Sequence, residues 1–293
     1  MLKHIKTRNF SNGFVSMLKL NDGKPIETTA TCLPFETELR GIKENKGKDS
    51  NIITELKDTR FDYWNEKFMI GVSTQSGCPI KCKFCAVNKV TEQYGWRNLT
   101  SEEMFGQVKF AIDKVKNDCS YDIDKNKPKL FRVLFTRMGE PSLNISNVIK
   151  AIRLIVDKYP FARVQVSTIG LNASRKLIEE LMRLEYSYKK NFIEYQFSVH
   201  STDNGYRRWL QCENVLNNEE VNDICGNIMS IIPKRAWKVT LNFTLSEHTP
   251  FNTSKLLEQF DPNNVFIKLS PINENVVSKE NNLKTLFEYQ NND

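Results

Sequence analysis

No run of apolar residues in this 293-residue chain reaches the length of a membrane span. The opening segment MLKHIKTRNFSNGF has no continuous apolar stretch of signal-peptide length. A disulfide framework is also disfavoured, because the seven cysteines are an odd number in a long chain. Together these absences predict an intracellular, cytoplasmic protein with reduced thiols or metal ligands and no membrane partner. Nor does a sequence repeat run through the chain. What is present is ordinary for a globular protein: 40% hydrophobic and 26% charged residues, enough to bury a core without covalent staples. The net charge of +7 suits an anionic partner such as RNA, and suits a solvated lysine-rich surface equally well.

Residues 14–20 (FVSMLKL) and 25–31 (PIETTAT) alternate in part and flank Asn21-Asp22-Gly23, which predicts a β-hairpin turning at Asp-Gly. Residues 36–60 are polar and charged and read as a long loop. From residue 68 onward the periodicity switches back and forth. Strands are expected over 68–74, 130–136, 162–168, 191–200, 236–245 and 264–270. A Thr100/Glu103 capping box opens a helix striped by Met104, Val108, Ala111, Ile112 and Val115. Val148, Ile149, Ile152, Ile155 and Val156 mark the next helix, and Leu177, Ile178, Leu181 and Leu184 another. Helices are also expected over 218–232, around Leu256, Leu257 and Phe260, and over 280–290. Such alternation implies an α/β fold with a parallel sheet and right-handed crossovers. Six alternations fall short of the eight of a closed TIM barrel, so a partial barrel and a doubly wound sheet both fit the pattern.

The segment GCPIKCKFC places three cysteines at Cys78-x3-Cys82-x2-Cys85, directly after the first strand of this rhythm. That is the end of a parallel sheet at which α/β folds place their ligand sites. A structural zinc site needs four protein ligands, and no fourth cysteine or histidine stands nearby. Zinc with a distant ligand or a bound water is one reading. A redox Cys82-x-x-Cys85 pair is another, and it leaves Cys78 without a role. The third is a 4Fe-4S cluster on three thiolates, whose remaining iron is free to bind a substrate or cofactor.

With Phe84 just before the last cysteine, the motif resembles the signature of the radical S-adenosylmethionine (SAM) superfamily. The resemblance implies a 4Fe-4S cluster that chelates SAM through its amino and carboxylate groups. One electron then cleaves SAM to methionine and a 5′-deoxyadenosyl radical. The segments VSTQSGCPIKCKFCA (72–86), RNLTSEEMFGQV (97–108), MGEPSLN (138–144), VSTIG (166–170), FSVHST (197–202) and IKLSPIN (267–273) resemble, in order, the RlmN/Cfr-type RNA adenine methyltransferases. Gly139-Glu140, Ser167, Ser198-Val199-His200 and Asn273 then fall at successive strand ends, on one rim with the cysteines. By the resemblance, Glu140 accepts the SAM ammonium beside a close-approaching Gly139. Phe84, Ser167, Ser198, Val199, His200 and Asn273 complete the cofactor site, touching the SAM carboxylate, ribose or adenine. Asp22-Gly23…Glu27-Thr28 is similar to a family segment whose glutamate is a proton acceptor, which makes Glu27 the candidate base. The expected fold is a partial (βα)6 TIM-like barrel over 68–293, preceded over 1–67 by the N-terminal β-hairpin and its polar loop.

The chain also departs from that family. Its resolving cysteine would stand seven residues before the first cluster cysteine, and Gly71 is there instead. The methyl-carrying cysteine and the N-terminal accessory domain have no counterpart in the 293 residues. A covalent adduct needs both a nucleophile and a resolving thiol. The expectation is therefore a retained SAM-cleaving core without the two-cysteine methylation cycle. Among the other thiols, Cys225 reads as core beside Val221, Ile224 and Ile228, and Cys119 as part of a polar loop. Cys212 follows Arg207-Arg208-Trp209-Leu210, and Cys32, five residues from Glu27, is the strongest candidate for a further role. Lys81, Lys83, Lys89, Arg97, Arg207, Arg208 and Trp209 form a candidate surface for phosphates and a stacked base. The expected partners are an RNA or nucleotide substrate and an electron donor of flavodoxin or ferredoxin type. The alternatives are RNA adenine methylation with non-standard thiols, and a non-catalytic iron–sulfur or RNA-binding module.

Overall fold

Apolar side chains at alternate positions set the strands, and apolar stripes at helical spacing set the segments between them. The computed structural model describes residues 2–33, 63–231 and 237–286. The loop expected over 36–60 lies outside the described residues. Three antiparallel strands come first: β1 (Lys3–Phe10), β2 (Gly13–Lys19) and β3 (Pro25–Leu33). Then follow β4 (Lys67–Val72), the paired two-residue strands β5 (Gln75–Ser76) and β6 (Arg97–Asn98), β7 (Leu130–Phe135), β8 (Ala162–Thr168), β9 (Ile193–Ser198), β10 (Val239–Leu245) and β11 (Val265–Pro271). The helices are α1 (Val87–Tyr94), α2 (Ser101–Cys119), α3 (Ile145–Lys158), α4 (Asn172–Tyr188), α5 (Asn204–Leu210), α6 (Asn218–Ile231), α7 (Thr253–Gln259) and α8 (Val276–Glu280).

The strand order settles which of the two α/β architectures is built. The main sheet runs β1-β2-β3-β4-β7-β8-β9-β10-β11, and β4, β7, β8, β9, β10 and β11 pair parallel in unbroken chain order. A doubly wound sheet reverses its order at a switch point. Here each crossover steps in the same direction, and the six parallel strands form a partial barrel. The hairpin of β2 and β3 is continuous with it, because β3 pairs antiparallel with β4. β1 was not legible in the sequence, since none of its residues is buried and it carries no apolar alternation. Of the helix expected over 280–290, residues 287–290 lie outside the described residues, and 281–286 are not helical. Asn275 caps α8 through a capping box, α8 stops at Glu280, and Asn282 takes a positive φ of 55°.

Alternation along each strand separates an apolar outer face from a polar inner one. Phe131, Val133 and Phe135 of β7, Val164 and Val166 of β8, and Leu241 and Phe243 of β10 are buried under the helices. Each large apolar side chain so buried contributes about 1.5–3 kcal/mol. The opposite parity carries Arg132, Gln165, Gln196 and Asn242 toward the inside of the barrel, where Arg132 donates to Glu194, Gln165 to Gln196 and Gln196 to Ser167, and Asn242 accepts from Ser270. The core therefore lies between sheet and helices, and the barrel interior is free to hold polar ligands.

Candidate functional site

The cysteine loop leaves the rim between β5 and α1, and hydrogen bonds fix its backbone. The Cys78 N–H donates to Thr91 Oγ1 (2.8 Å) and the Lys83 N–H to the Leu210 carbonyl (2.8 Å). Asn275 and Asn281 donate side-chain amides to the carbonyls of Phe84 (2.9 Å) and Lys83 (3.0 Å). Gly77 must be glycine, because its φ is +69° and a Cβ would lie 2.5 Å from the Gly95 carbonyl oxygen.

Cys78, Cys82 and Cys85 line a single cavity of about 260 Å³. Burial pushes the Cys78 thiol up to about 12 and raises Cys85; burial and then the neighbouring thiols raise Cys82. Such thiols stay protonated near neutral pH until a bound cation stabilises their thiolates. Among the described residues no three His, Cys, Asp or Glu side chains gather around one point as ligands of a single ion. Three thiols lining one cavity are one ligand short of a tetrahedral zinc site and match the three-thiolate donor set of a 4Fe-4S cluster.

Gly139, Glu140, Phe84, Ser167, Ser198 and His200 line the same cavity as the cysteines. Gly139 has φ +99°, and a Cβ would lie 2.6 Å from Gln75 Cβ, so only glycine fits. The buried Glu140 carboxylate accepts from Thr168 Oγ1 (2.5 Å), the Ile169 N–H (3.1 Å) and the Ser142 N–H (3.0 Å). Desolvation raises its pKa against those donors. His200 sits at φ +66°, with Nδ1 accepting the Thr244 N–H (3.0 Å) and its ring edge-on to Phe84 at 5.1 Å. Burial first, and Arg207 second, depress its pKa to about 3. The ring is thus neutral, and its Nε2–H remains available as a donor.

Two predicted site residues lie next door. Glu27 and Asn273 line an adjoining chamber of about 570 Å³, whose wall shares Phe84, Cys85 and Arg137 with the first cavity. Val199 lines neither. Its side chain is in the core, its N–H donates to the Asn242 carbonyl (2.9 Å), and its own carbonyl accepts from Arg207 Nε (3.0 Å).

Several other readings are corrected. Arg207 holds no phosphate: fully buried, it also donates to the Leu216 carbonyl (2.8 Å) and Asn218 Oδ1 (2.6 Å), tying loops together. Lys89 pairs with Glu92 and Glu280, and Arg97 with Asp22 and Glu103. Cys32 faces the core opposite Phe68, at the far end of β3 from Glu27, and burial raises its pKa to about 11. Cys119 ends α2 and packs on the core rather than sitting in a loop. Cys212 lies within electrostatic range of Cys82 and Glu140.

Arg137 was missed. It forms an ion pair with Glu27, and a Cβ at Gly71 would lie 2.4 Å from Thr29 Oγ1 and 2.8 Å from Arg137 Cδ. The space beside Gly71 is therefore filled by Thr29 and Arg137. Thr136, Gln196, Asn242 and Thr244 were missed as well, although all line the cluster cavity. The signal was available: they continue the polar parity of β7, β9 and β10.

A partial parallel barrel with three free thiols and a buried polar cavity at its C-terminal rim defines a class before any comparison is made. The model of the radical SAM superfamily matches residues 72–221, and the chain belongs to that superfamily. Within it the chain is RlmN-like. It is 40% identical over 116 residues to the dual-specificity RNA methyltransferase RlmN of Buchnera aphidicola subsp. Schizaphis graminum, covering 38% of this chain and 29% of that one. It is 30% identical over 223 residues to the probable dual-specificity RNA methyltransferase RlmN of Petrotoga mobilis, covering 73% of this chain and 56% of the relative. Aligned segments thus span roughly half of these relatives or less. A radical SAM methyltransferase structure from Sphaerobacter thermophilus superposes with a TM-score of 0.65 at 19% identity, over 93% of this chain and 67% of that one. At that identity the likeness concerns the fold. Among the described residues no helix is long and apolar enough to cross a membrane.

Proposed function

We infer that the chain is a radical SAM enzyme that acts on a nucleotide or RNA substrate. A 4Fe-4S cluster on Cys78, Cys82 and Cys85, when bound, would supply the electron that splits SAM into methionine and a 5′-deoxyadenosyl radical, which takes a hydrogen atom from the substrate. One observation carries this reading: three thiols, Glu140 and His200 meet on a cavity that shares a wall with a second, larger chamber.

The protein's own part is to bind and orient. Three hydrogen bonds occupy the Glu140 carboxylate, and a carboxylate has about four acceptor sites, which leaves one for the SAM ammonium. The bare backbone at Gly139 allows close approach. His200 offers Nε2–H, and Ser167 and Ser198 offer hydroxyls held 3.3 Å apart. Val199 contributes through backbone bonds alone, and Asn273 lines the second chamber. Glu27 is the proton acceptor only after it releases Arg137. Arg137 and Lys268 in the chamber wall suit an anionic substrate, as does the likeness to relatives named RNA methyltransferases. The electron comes from a flavodoxin- or ferredoxin-type donor.

The same relatives favour a second reading, RNA adenine methylation. It would need a resolving thiol from outside the space at Gly71, which Thr29 and Arg137 fill. Anaerobic reconstitution with iron and sulfide, followed by SAM and a strong reductant, separates the readings. 5′-Deoxyadenosine is the expected product, and Cys82→Ala should abolish it. Its absence from a loaded wild-type protein would refute the leading reading. S-adenosylhomocysteine together with methylated RNA would favour the second.

A further inference from the structure

We propose that the inner face of β1, β2 and β3 is a docking track for single-stranded nucleic acid that leads into the second chamber. The proposal rests on the nucleotide or RNA reading above and assigns that substrate a surface. Register and alternation place Lys3, Lys6, Arg8 and Phe10 of β1 on the same face as Met17 and Lys19 of β2 and Glu27 of β3. The opposite face is used otherwise. His4 stacks on Phe110 of α2, the Thr7 and Ser16 hydroxyls bond at 2.7 Å, and Phe14, Leu18 and Ile26 are buried.

The inner face is cationic without compensation. Lys3, Lys6, Arg8 and Lys19 are exposed, and among the described residues none of the four is in an ion pair. The carboxylate of this face, Glu27, is already held by Arg137. Edge strands often carry lysines simply to resist pairing with other chains. Here, however, the lysines and the arginine of β1 lie together on one side, and His4, Thr7 and Asn9 occupy the other face. Exposed apolar surface is interleaved with the cations, with Phe10 40% and Met17 45% exposed and the Arg8 guanidinium 5.1 Å over the Phe10 ring. Cations for phosphates beside flat or apolar side chains for bases are what a single strand requires.

Continuity with the chamber gives the track a direction. Lys6 pairs across to Met17, and Met17 to Glu27, in one rung, and both Met17 and Glu27 line the chamber. Strands lie about 4.8 Å apart, so Lys6 stands about 10 Å from Glu27. A phosphate held at Lys6 thus leaves a neighbouring base within reach of the chamber.

The test is fluorescence anisotropy of a labelled single-stranded oligoadenylate RNA on the full, reconstituted chain across a salt series. The double variant K6E/R8E should bind at least about tenfold more weakly at low salt. Its log–log salt slope should fall by roughly 1.4, for two lost phosphate contacts. K109E/K150E makes the same change in net charge on exposed residues of α2 and α3 and should stay close to wild type. Unchanged melting temperatures in both variants exclude unfolding as the cause. Equal binding by the two variants would overturn the track and leave the nucleic-acid reading intact. Failure of the wild-type chain to bind the RNA at low salt would overturn that reading itself. Polyglutamate bound as tightly, with the same slope, would reassign the face to an acidic polypeptide.

Discussion

At Gly71 the packing leaves no room for a Cβ. A side chain there would have to displace Thr29 and Arg137, and forcing atoms into a packed site costs about 1–3 kcal/mol. Gly71→Cys should therefore lower stability by that amount in equilibrium urea unfolding. Adding Arg137→Ala should recover much of the loss, because the two positions share one space. The cluster thiols make a second prediction. Their pKa values are raised, so ligation must release protons, and reconstitution should become more complete from pH 7 to pH 9. Absorbance of the iron–sulfur charge-transfer band measures it, and a flat profile would contradict the buried-thiol geometry. Of the residues at the site, those within spaced motifs were legible in the sequence. Arg137 was not, because its role comes from a partner on β3, 110 positions away in the chain.

Among the elements, those with strong periodicity could be read directly. α2 begins at the predicted Thr100/Glu103 capping box, with each side chain bonded to the other's N–H (3.0 and 3.2 Å). β1 eluded the sequence because its place comes from hydrogen bonding to β2 rather than from burial. α5 hid a different error. Its Arg207 and Arg208 look like a surface pair, yet only one faces solvent, since Arg207 is wholly buried. Burial depresses Arg207 to about 10, so it remains charged at neutral pH. Arg207→Met should strand the acceptors of Val199, Leu216 and Asn218 and cost about 3 kcal/mol or more. Urea unfolding of that variant measures the loss, whereas Arg208→Met should change little.

For the molecule as a whole, the neutral ring of His200 links stability to pH on the acid side. His200 binds a proton at pH 6.5 when unfolded but only near pH 3 when folded. Between those values the unfolded state holds more protons, so stability rises with pH. Keeping the ring neutral costs nothing above pH 6.5, and the penalty grows on acidification toward pH 3, at full effect roughly 5 kcal/mol. The urea midpoint of wild type should fall from pH 7 to pH 4 more steeply than that of His200→Gln. A parallel decline in both would assign the acid sensitivity elsewhere.

The order of the strands has one last consequence. Among the described residues β1 and β11 are the two edges of the main sheet and do not pair with each other. A sealed cylinder admits a long polymer only by its terminus, in the manner of thread through a needle's eye. A gutter with a free lip can receive an interior stretch laid in sideways, at any point along the polymer and without searching for an end.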